Sequence, residues 1–379
     1  SVSQPLLRGF GEEVNTAEIT LGRNQKQRSI QALKADLLLL IAATEQAYWE
    51  LVQRRDNLLI QQRLVDQGIE VRNVLQSRQE FDTRASQYAD AVATVEQRQA
   101  TLLVIQRNVK LASDQLKAIM NDPNLPLESE TLILATDPLP EEPLQLRLRE
   151  ALATAMRERP EVEDAIVGIE DASIRERVAK NLRWPELNVN ASVSYGGLDG
   201  NANEAYKDLT EESFVNVIVG ISLEYPFGNR AAKAEILRAR LQRDSSLLRL
   251  RRVVQGVILE VKNALRDVQT NYALIQATRS FRIAQAENLR TLLAEETEQQ
   301  RPTPEFLDLK FRRQELLSVA QREEVASVAA YNSAIAELNR AMGTGLRQKR
   351  IELRTSTGTQ PTEISVPQED DDPDAPGDS

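Results

Sequence analysis

Two runs of alternating residues, joined by a polar stretch, constrain this chain more than any other feature. In the first, Leu187, Val189, Ala191, Val193 and Tyr195 point one way, and Asn188, Asn190, Ser192 and Ser194 point the other. After Gly196 to Ser213 a second run sets Val215, Val217, Val219, Ile221, Leu223 and Tyr225 on one face. Asn216, Gly220, Ser222 and Glu224 stand opposite, interrupted by Phe214 and Ile218. A period of two is the mark of a β-strand. About 9–11 such residues suit a strand that crosses a bilayer with an apolar outside and a wet inside. A soluble antiparallel hairpin with one solvated face shows the same alternation, so the rest of the chain has to decide. Pro226 stops the ladder because it has no N–H to donate, and Gly228-Asn229 opens a long helical pattern with Asn229 as its N-cap.

No run of 18 apolar residues exists, so a membrane role would have to use strands. Charged residues make up 27% and aromatic residues 4% of the 379 positions, which favours long solvated helices over a compact aromatic core. Cysteine and histidine are absent. That excludes disulfides, Cys/His metal sites, thiol nucleophiles and His-based triads. No set of residues combines a nucleophile, a base and a cofactor loop, so neither an enzyme nor a cofactor is expected. The net charge of −10 is concentrated at one end: Glu363, Glu369, Asp370, Asp371, Asp372, Asp374 and Asp378 give the segment from Thr355 a charge of −7, leaving −3 for the rest. Nucleic acid is not an expected partner.

Along the chain, the spacing of Leu33, Leu37, Leu40, Ile41, Ala47, Tyr48 and Leu51 predicts a helix from Val14 to about Asn73. A weak break near Val74 to Gln79 leads to a second helix, Glu80 to Met120, closed by Asn121-Asp122-Pro123. A proline-bearing connector and two shorter helices, broken at Arg159-Pro160, deliver the chain through Trp184-Pro185 into the first strand. Beyond the second strand a helix is predicted from Asn229 to about Gln299. Leu247, Leu250, Val254, Val257, Val261, Ala264 and Val268 form a coiled-coil seam along it. Arg301-Pro302-Thr303-Pro304 breaks the pattern, and a return helix from Glu305 to Met342 ends at Gly343-Thr344-Gly345. At 1.5 Å per residue, the first arm of each hairpin reaches roughly 90–105 Å.

The two halves repeat. Phe10-Gly11 and Ala17-Glu18-Ile19 match Phe227-Gly228 and Ala234-Glu235-Ile236 at an offset of 217, and Leu116 and Met120 match Leu338 and Met342 at an offset of 222. Each half therefore reads as strand, long helix, turn and helix back. The first half lacks the ascending strand of the second, so the chain is expected to be a fragment without an N-terminal helix and strand. The fold class is mainly α with a small β part. The expected divisions are a strand remnant at 1–11, a first helical hairpin at 12–121 and an equatorial connector at 122–183. A β-hairpin at 184–228, with an external loop at 196–213, a second helical hairpin at 229–346 and a disordered acidic tail at 347–379 complete the chain.

Pro185 to Tyr195, the run Leu223 to Arg230, and Arg301 to Ala341 closing on Met342-Gly343-Thr344 give the chain its resemblance to a known family. With the doubled pattern, residues 1 to about 346 resemble the TolC-like outer membrane efflux proteins. The resemblance implies a homotrimer with a shared twelve-stranded β-barrel in the outer membrane of a diderm bacterium and a helical barrel in the periplasm. It implies a passive exit duct for efflux or type I secretion, with an inner-membrane transporter supplying energy and a periplasmic adaptor meeting the helical tips. Leu75, Ser77, Pro302, Thr303 and Pro304 occupy those tips. Arg301, Glu305 and Asp308 match the family's periplasmic constriction, with Glu80 or Asp82 facing them from the first hairpin. Trp184, Tyr225 and Phe227 stand where the barrel's interfacial belt would lie. The chain departs from the family in lacking its N-terminal quarter and the glycine near the second tip, where Gln299 to Pro304 stands.

Other groupings have plainer readings. Asp199, Asn201 and Asn203 alternate like calcium ligands, but Glu204 and Thr210 stand where glycine and glutamate are needed, so a polar loop without metal is expected. Arg230, Lys233, Arg238, Arg240, Arg243, Arg249, Arg251 and Arg252 either line a duct, face lipid headgroups or form a solvated helix face, of which the last is the expectation. Glu305 and Asp308, by themselves, are equally consistent with a surface ion pair. The rival to a channel is a periplasmic coiled-coil adaptor or structural protein, but an adaptor has one helical hairpin between β-rich halves rather than two alternating with strands.

Overall fold

The computed structural model describes residues 1–78, 84–196, 214–298, 303–354 and 363–365. The chain runs β1 (Val2–Pro5), α1 (Glu12–Asn15), α2 (Ala17–Ser77), α3 (Ala85–Met120), α4 (Leu148–Glu158), α5 (Pro160–Asn181), β2 (Glu186–Gly196) and β3 (Phe214–Glu224). It continues through α6 (Arg230–Glu298), α7 (Pro304–Met342), α8 (Gly345–Gln348), β4 (Glu352–Arg354) and β5 (Glu363–Ser365). Two compact units contain these elements, one of Ser1–Lys34 with Pro160–Gly256, the other of Ala35–Arg159 with Val257–Ser379. Among the described residues no helix is long and apolar enough to cross a membrane.

The first unit is built around an antiparallel sheet of order β1-β2-β3. Its register sets like on like. Leu187 pairs with Leu223, Val189 with Ile221, Ala191 with Val219 and Val193 with Val217, while Asn188 meets Ser222 and Ser194 meets Asn216. Slipping the register by one residue would reverse every side chain, so this match fixes the pairing. β1 extends the sheet through Val2 opposite Ala191 and Gln4 opposite Val189. Among the described residues nothing covers the apolar face: Val215, Val217, Val219, Ile221 and Leu223 are 53–74% exposed.

Each route from strand to helix passes through a glycine of positive φ, Gly11 at 106° and Gly228 at 77°, the conformation glycine adopts without strain. Asn229 does not cap α6 with its side-chain oxygen. Its amide instead donates to the Arg183 carbonyl at 3.0 Å, tying the entry of the β-hairpin to its exit. Below the sheet α5 lies along the start of α2. Asn24 donates to Asp171 at 2.9 Å and Arg28 Nη1 stands 3.8 Å from its other oxygen, so the buried carboxylate is satisfied, while Arg28 Nε bonds Asp164 at 2.8 Å.

In the second unit the first hairpin closes on Ala47, Leu51, Val52, Val109, Ala112 and Leu116. α3 starts at Ala85 rather than Glu80; Arg84 before it is extended, and its N–H is taken by the Gln87 side chain at 3.1 Å. Asn121 ends α3 in the left-handed conformation. The connector has no helical period, yet side chains fasten it. Lys117 donates to the Ser129 carbonyl (2.8 Å), Ser113 accepts from Ile133 N–H (3.0 Å), and Tyr331 donates to Glu142 O (2.6 Å) while accepting from Leu144 N–H (3.0 Å). Val257, Val261, Ala264 and Val268 of the predicted seam are buried in this unit. In the other unit Leu250 and Val254 are only partly buried and Leu247 stays 40% exposed, so the seam is less covered there. Gly343 ends α7 at φ 73°, and Thr344 N–H reaches back to Asn339 O at 3.0 Å, satisfying an orphan carbonyl. The segment expected to be a disordered tail begins within α8 and contains the pair Glu352–Arg354 with Glu363–Ser365, whose ladder hydrogen bonds hold it as a two-stranded sheet. Residues 355–362 and 366–379 lie outside the described ones.

Candidate functional site

The tip of the second helical hairpin is built by α7. Thr303 caps the helix, its hydroxyl accepting from Phe306 N–H at 3.3 Å, and Pro304 follows in the first turn, where a missing N–H costs nothing. Phe306, Leu307 and Phe311 then turn inward and pack on Val71, Leu75, Ala91 and Leu292, with Tyr88 against them. Burying a side chain such as Leu307 contributes about 2 kcal/mol, so the start of α7 is held to the first hairpin by its apolar face.

Glu305 and Asp308 remain exposed and line one groove of about 360 Å³ with Leu75, Gln87, Asp90, Thr94 and Arg312. Asp308 pairs with Arg312 at 3.0 Å, one turn along. The acid that the first hairpin contributes to this groove is Asp90. Glu80 and Asp82, expected there, lie outside the described residues, as do Arg301 and Pro302. Of the expected tip residues, Thr303 and Ser77 are exposed. Leu75 is a correction: only 3% exposed, it belongs to the core beneath the tip, because Phe306 and Phe311 need an apolar partner.

A neighbouring groove of about 370 Å³ shares Asp308 and Arg312 and ends on Arg98, a residue the sequence reading missed. Arg98 is 5% exposed. Its Nη1 donates to Leu64 O at 3.0 Å and Gln314 Oε1 at 3.3 Å, and its Nη2 donates to Phe311 O at 3.1 Å. Glu315 stands 3.6 Å from Nε, and Arg322 bridges Glu315 to Gln61, which itself donates to Arg98 O. One guanidinium therefore joins α2, α3 and α7. Burial pushes its pKa below the ordinary arginine value and Glu315 pulls it back. It stays charged, since arginine does not lose its proton in proteins. The only signal in the sequence is Gly68, a gap in a helical pattern that leaves room for the Arg98 side chain.

At the helical end of the sheet Trp184, Tyr225 and Phe227 are all exposed, and the rings of Tyr225 and Phe227 meet edge to face at 5.5 Å. Further down α6, part of the basic run is neutralised. Glu176, almost fully buried, takes Lys180 at 2.8 Å, Arg243 at 3.4 Å and Arg240 at 3.9 Å, which holds its pKa below the ordinary carboxylate value, Lys180 contributing most. Among the described residues no group of three or more acids, cysteines or histidines could hold a metal ion.

Long antiparallel helical hairpins joined to strands of an open antiparallel sheet give the chain the fold of solved outer-membrane channel structures. The chain is similar to the Campylobacter jejuni CmeC outer membrane channel, with TM-score 0.72 and 14% identity over 90% of this chain and 70% of that one. It is similar to the Neisseria gonorrhoeae MtrE outer membrane channel in its open state (TM-score 0.69, 19% identity, 90% and 74% covered). The outer membrane protein VceC from Vibrio cholerae gives TM-score 0.70 and 17% identity over 90% and 78%. No family model and no curated protein matches the sequence.

Proposed function

We propose that this chain is one protomer of a homotrimeric outer-membrane channel, the passive exit duct of a tripartite efflux or type I secretion system. The observation that carries this reading is the uncovered sheet. Its apolar face is matched strand to strand and has no partner among the described residues, and lipid is the solvent that such a face suits. β1 and β3 leave open edges, which hydrocarbon does not tolerate. Three strands cannot close a barrel, so strands from further copies of the chain must complete it. The likeness in fold to efflux channels supports the same reading.

On this reading 196–213 is the external loop and both helical turns are periplasmic, where an adaptor meets Ser77 and Thr303 and an inner-membrane transporter supplies the energy. Glu305 and Asp308 form stacked carboxylate rings around the axis, and Arg301 holds the turn closed through charge-assisted bonds to a neighbouring hairpin. The chain performs no catalysis. Mass measurement in detergent and planar-bilayer recording test the proposal together, with a trimer that conducts as the expected result. A stable monomer with intact secondary structure and no conductance overturns it. A tag at Asn201, but not one at Thr303, should label on intact cells.

A further inference from the structure

Three cations lie beside the aromatic band at the helical end of the sheet. Arg183 directly precedes Trp184, while Arg230 and Lys233 open α6 just after Phe227 and, three residues apart, share a helical face. The bond from Asn229 to the Arg183 carbonyl brings the two segments together. All three side chains are exposed, and none takes part in an ion pair among the described residues. Cations around them are matched: Arg8 with Glu186, Lys180, Arg240 and Arg243 with Glu176, and Arg238 with Glu235.

Exposed aromatic rings at the end of an apolar strand face mark the headgroup level of a bilayer. Cations one to six residues beyond such rings fall within reach of lipid phosphates, and no acid among the described residues pairs with them. We infer that Arg183, Arg230 and Lys233 form a binding surface for the anionic phospholipid headgroups of the leaflet on the helical side. This rests on the membrane placement proposed above. Arg249, Arg251 and Arg252 serve as the internal contrast. They are likewise exposed, but the first of them is about 28 Å along α6 from Arg230, beyond the range of surface charge.

Trp184 makes the test direct, because the chain has 2 tryptophans and a Trp49→Phe background leaves Trp184 alone to report. The full chain is reconstituted in phosphatidylcholine vesicles containing phosphatidylglycerol, with one or the other lipid brominated as quencher. Brominated phosphatidylglycerol should quench Trp184 at lower mole fraction than brominated phosphatidylcholine, by about fivefold for each cation engaged. Arg183→Gln, Arg230→Gln and Lys233→Gln should reduce that ratio stepwise and together bring it to one. The triple change of Arg249, Arg251 and Arg252 to Gln should leave it intact. Equal quenching by both lipids, or a preference retained in the first triple variant, overturns the headgroup surface while leaving the channel reading in place. Quenching by neither lipid overturns both.

Discussion

Arg98 and Phe311 are joined twice, by a hydrogen bond from Nη2 to the Phe311 carbonyl at 3.1 Å and by the guanidinium over the Phe311 ring, 5.1 Å from its centroid. The same ring is part of the core beneath the carboxylates at the tip, so one buried cation sets where the start of α7 lies on the first hairpin. Arg98→Ala should lower stability by about 1–3 kcal/mol, because Leu64 O, Gln314 Oε1 and Phe311 O lose this charged donor. Arg98→Lys should recover little of it, because an ammonium cannot reproduce the planar fork that serves Leu64, Gln314 and Phe311. Hydrogen exchange at Phe311 to Glu315 should rise in both variants; unchanged exchange would show that apolar packing alone holds α7.

Gly343 is fixed by two constraints at once. Its φ is 73°, and a Cβ there would lie 2.8 Å from the Glu158 carbonyl oxygen. Gly343→Ala should therefore cost more than the roughly 1 kcal/mol that a left-handed alanine alone imposes. In urea unfolding it should exceed the cost of Gly256→Ala, where the added methyl meets open space.

The Tyr331 hydroxyl serves two backbone groups of the connector, Glu142 O and Leu144 N–H. Tyr331→Phe leaves both without that partner and should destabilise by about 1–3 kcal/mol. Faster amide exchange at Leu144 and earlier proteolytic cutting in residues 138–147 are the readouts.

Glu176 confers a pH dependence of known sign. Its folded pKa lies below the ordinary value of about 4.3 because Lys180, then Arg243 and Arg240, favour the carboxylate. Its contribution is complete above the unfolded pKa and is lost as pH falls through the depressed folded one. Thermal melts of wild type and Glu176→Gln should differ at pH 7 and converge as acidification protonates the folded-state carboxylate. A difference that persisted once the carboxylate is protonated would assign the stabilisation to packing.

Glu305 and Asp308 are exposed and share a groove whose floor includes Leu75 and Phe311 of the core beneath them. If they ring a pore, replacing both by Ala should lower cation preference in planar-bilayer recordings without abolishing conductance, whereas Arg301→Ser should raise conductance. Wild-type selectivity in the double variant would make them ordinary surface acids, with Asp308 serving only Arg312.

The sequence by itself determined the elements whose signal is local and repeated. Alternation from Leu187 to Tyr195 and from Val215 to Leu223 set both strands and their faces, since a period of two puts alternate residues on opposite faces and a one-residue slip would set apolar against polar. Pro160 and Pro304 marked helix starts because proline fixes φ wherever it occurs, and Gly343 marked a helix end because glycine takes a positive φ without strain. Only the tertiary structure decided which charges matter inside the helices. Arg98 and Glu176 sit in stretches where nearly every turn carries a charge, and nothing local distinguishes a buried one. Their burial depends on neighbours distant in the chain, Gln314 for Arg98 and Arg243 for Glu176. Likewise, identical heptad spacing runs from Leu247 to Val268, yet Val257 to Val268 are covered and Leu247 is open. Periodicity defines a face, but desolvation requires another helix to lie on it.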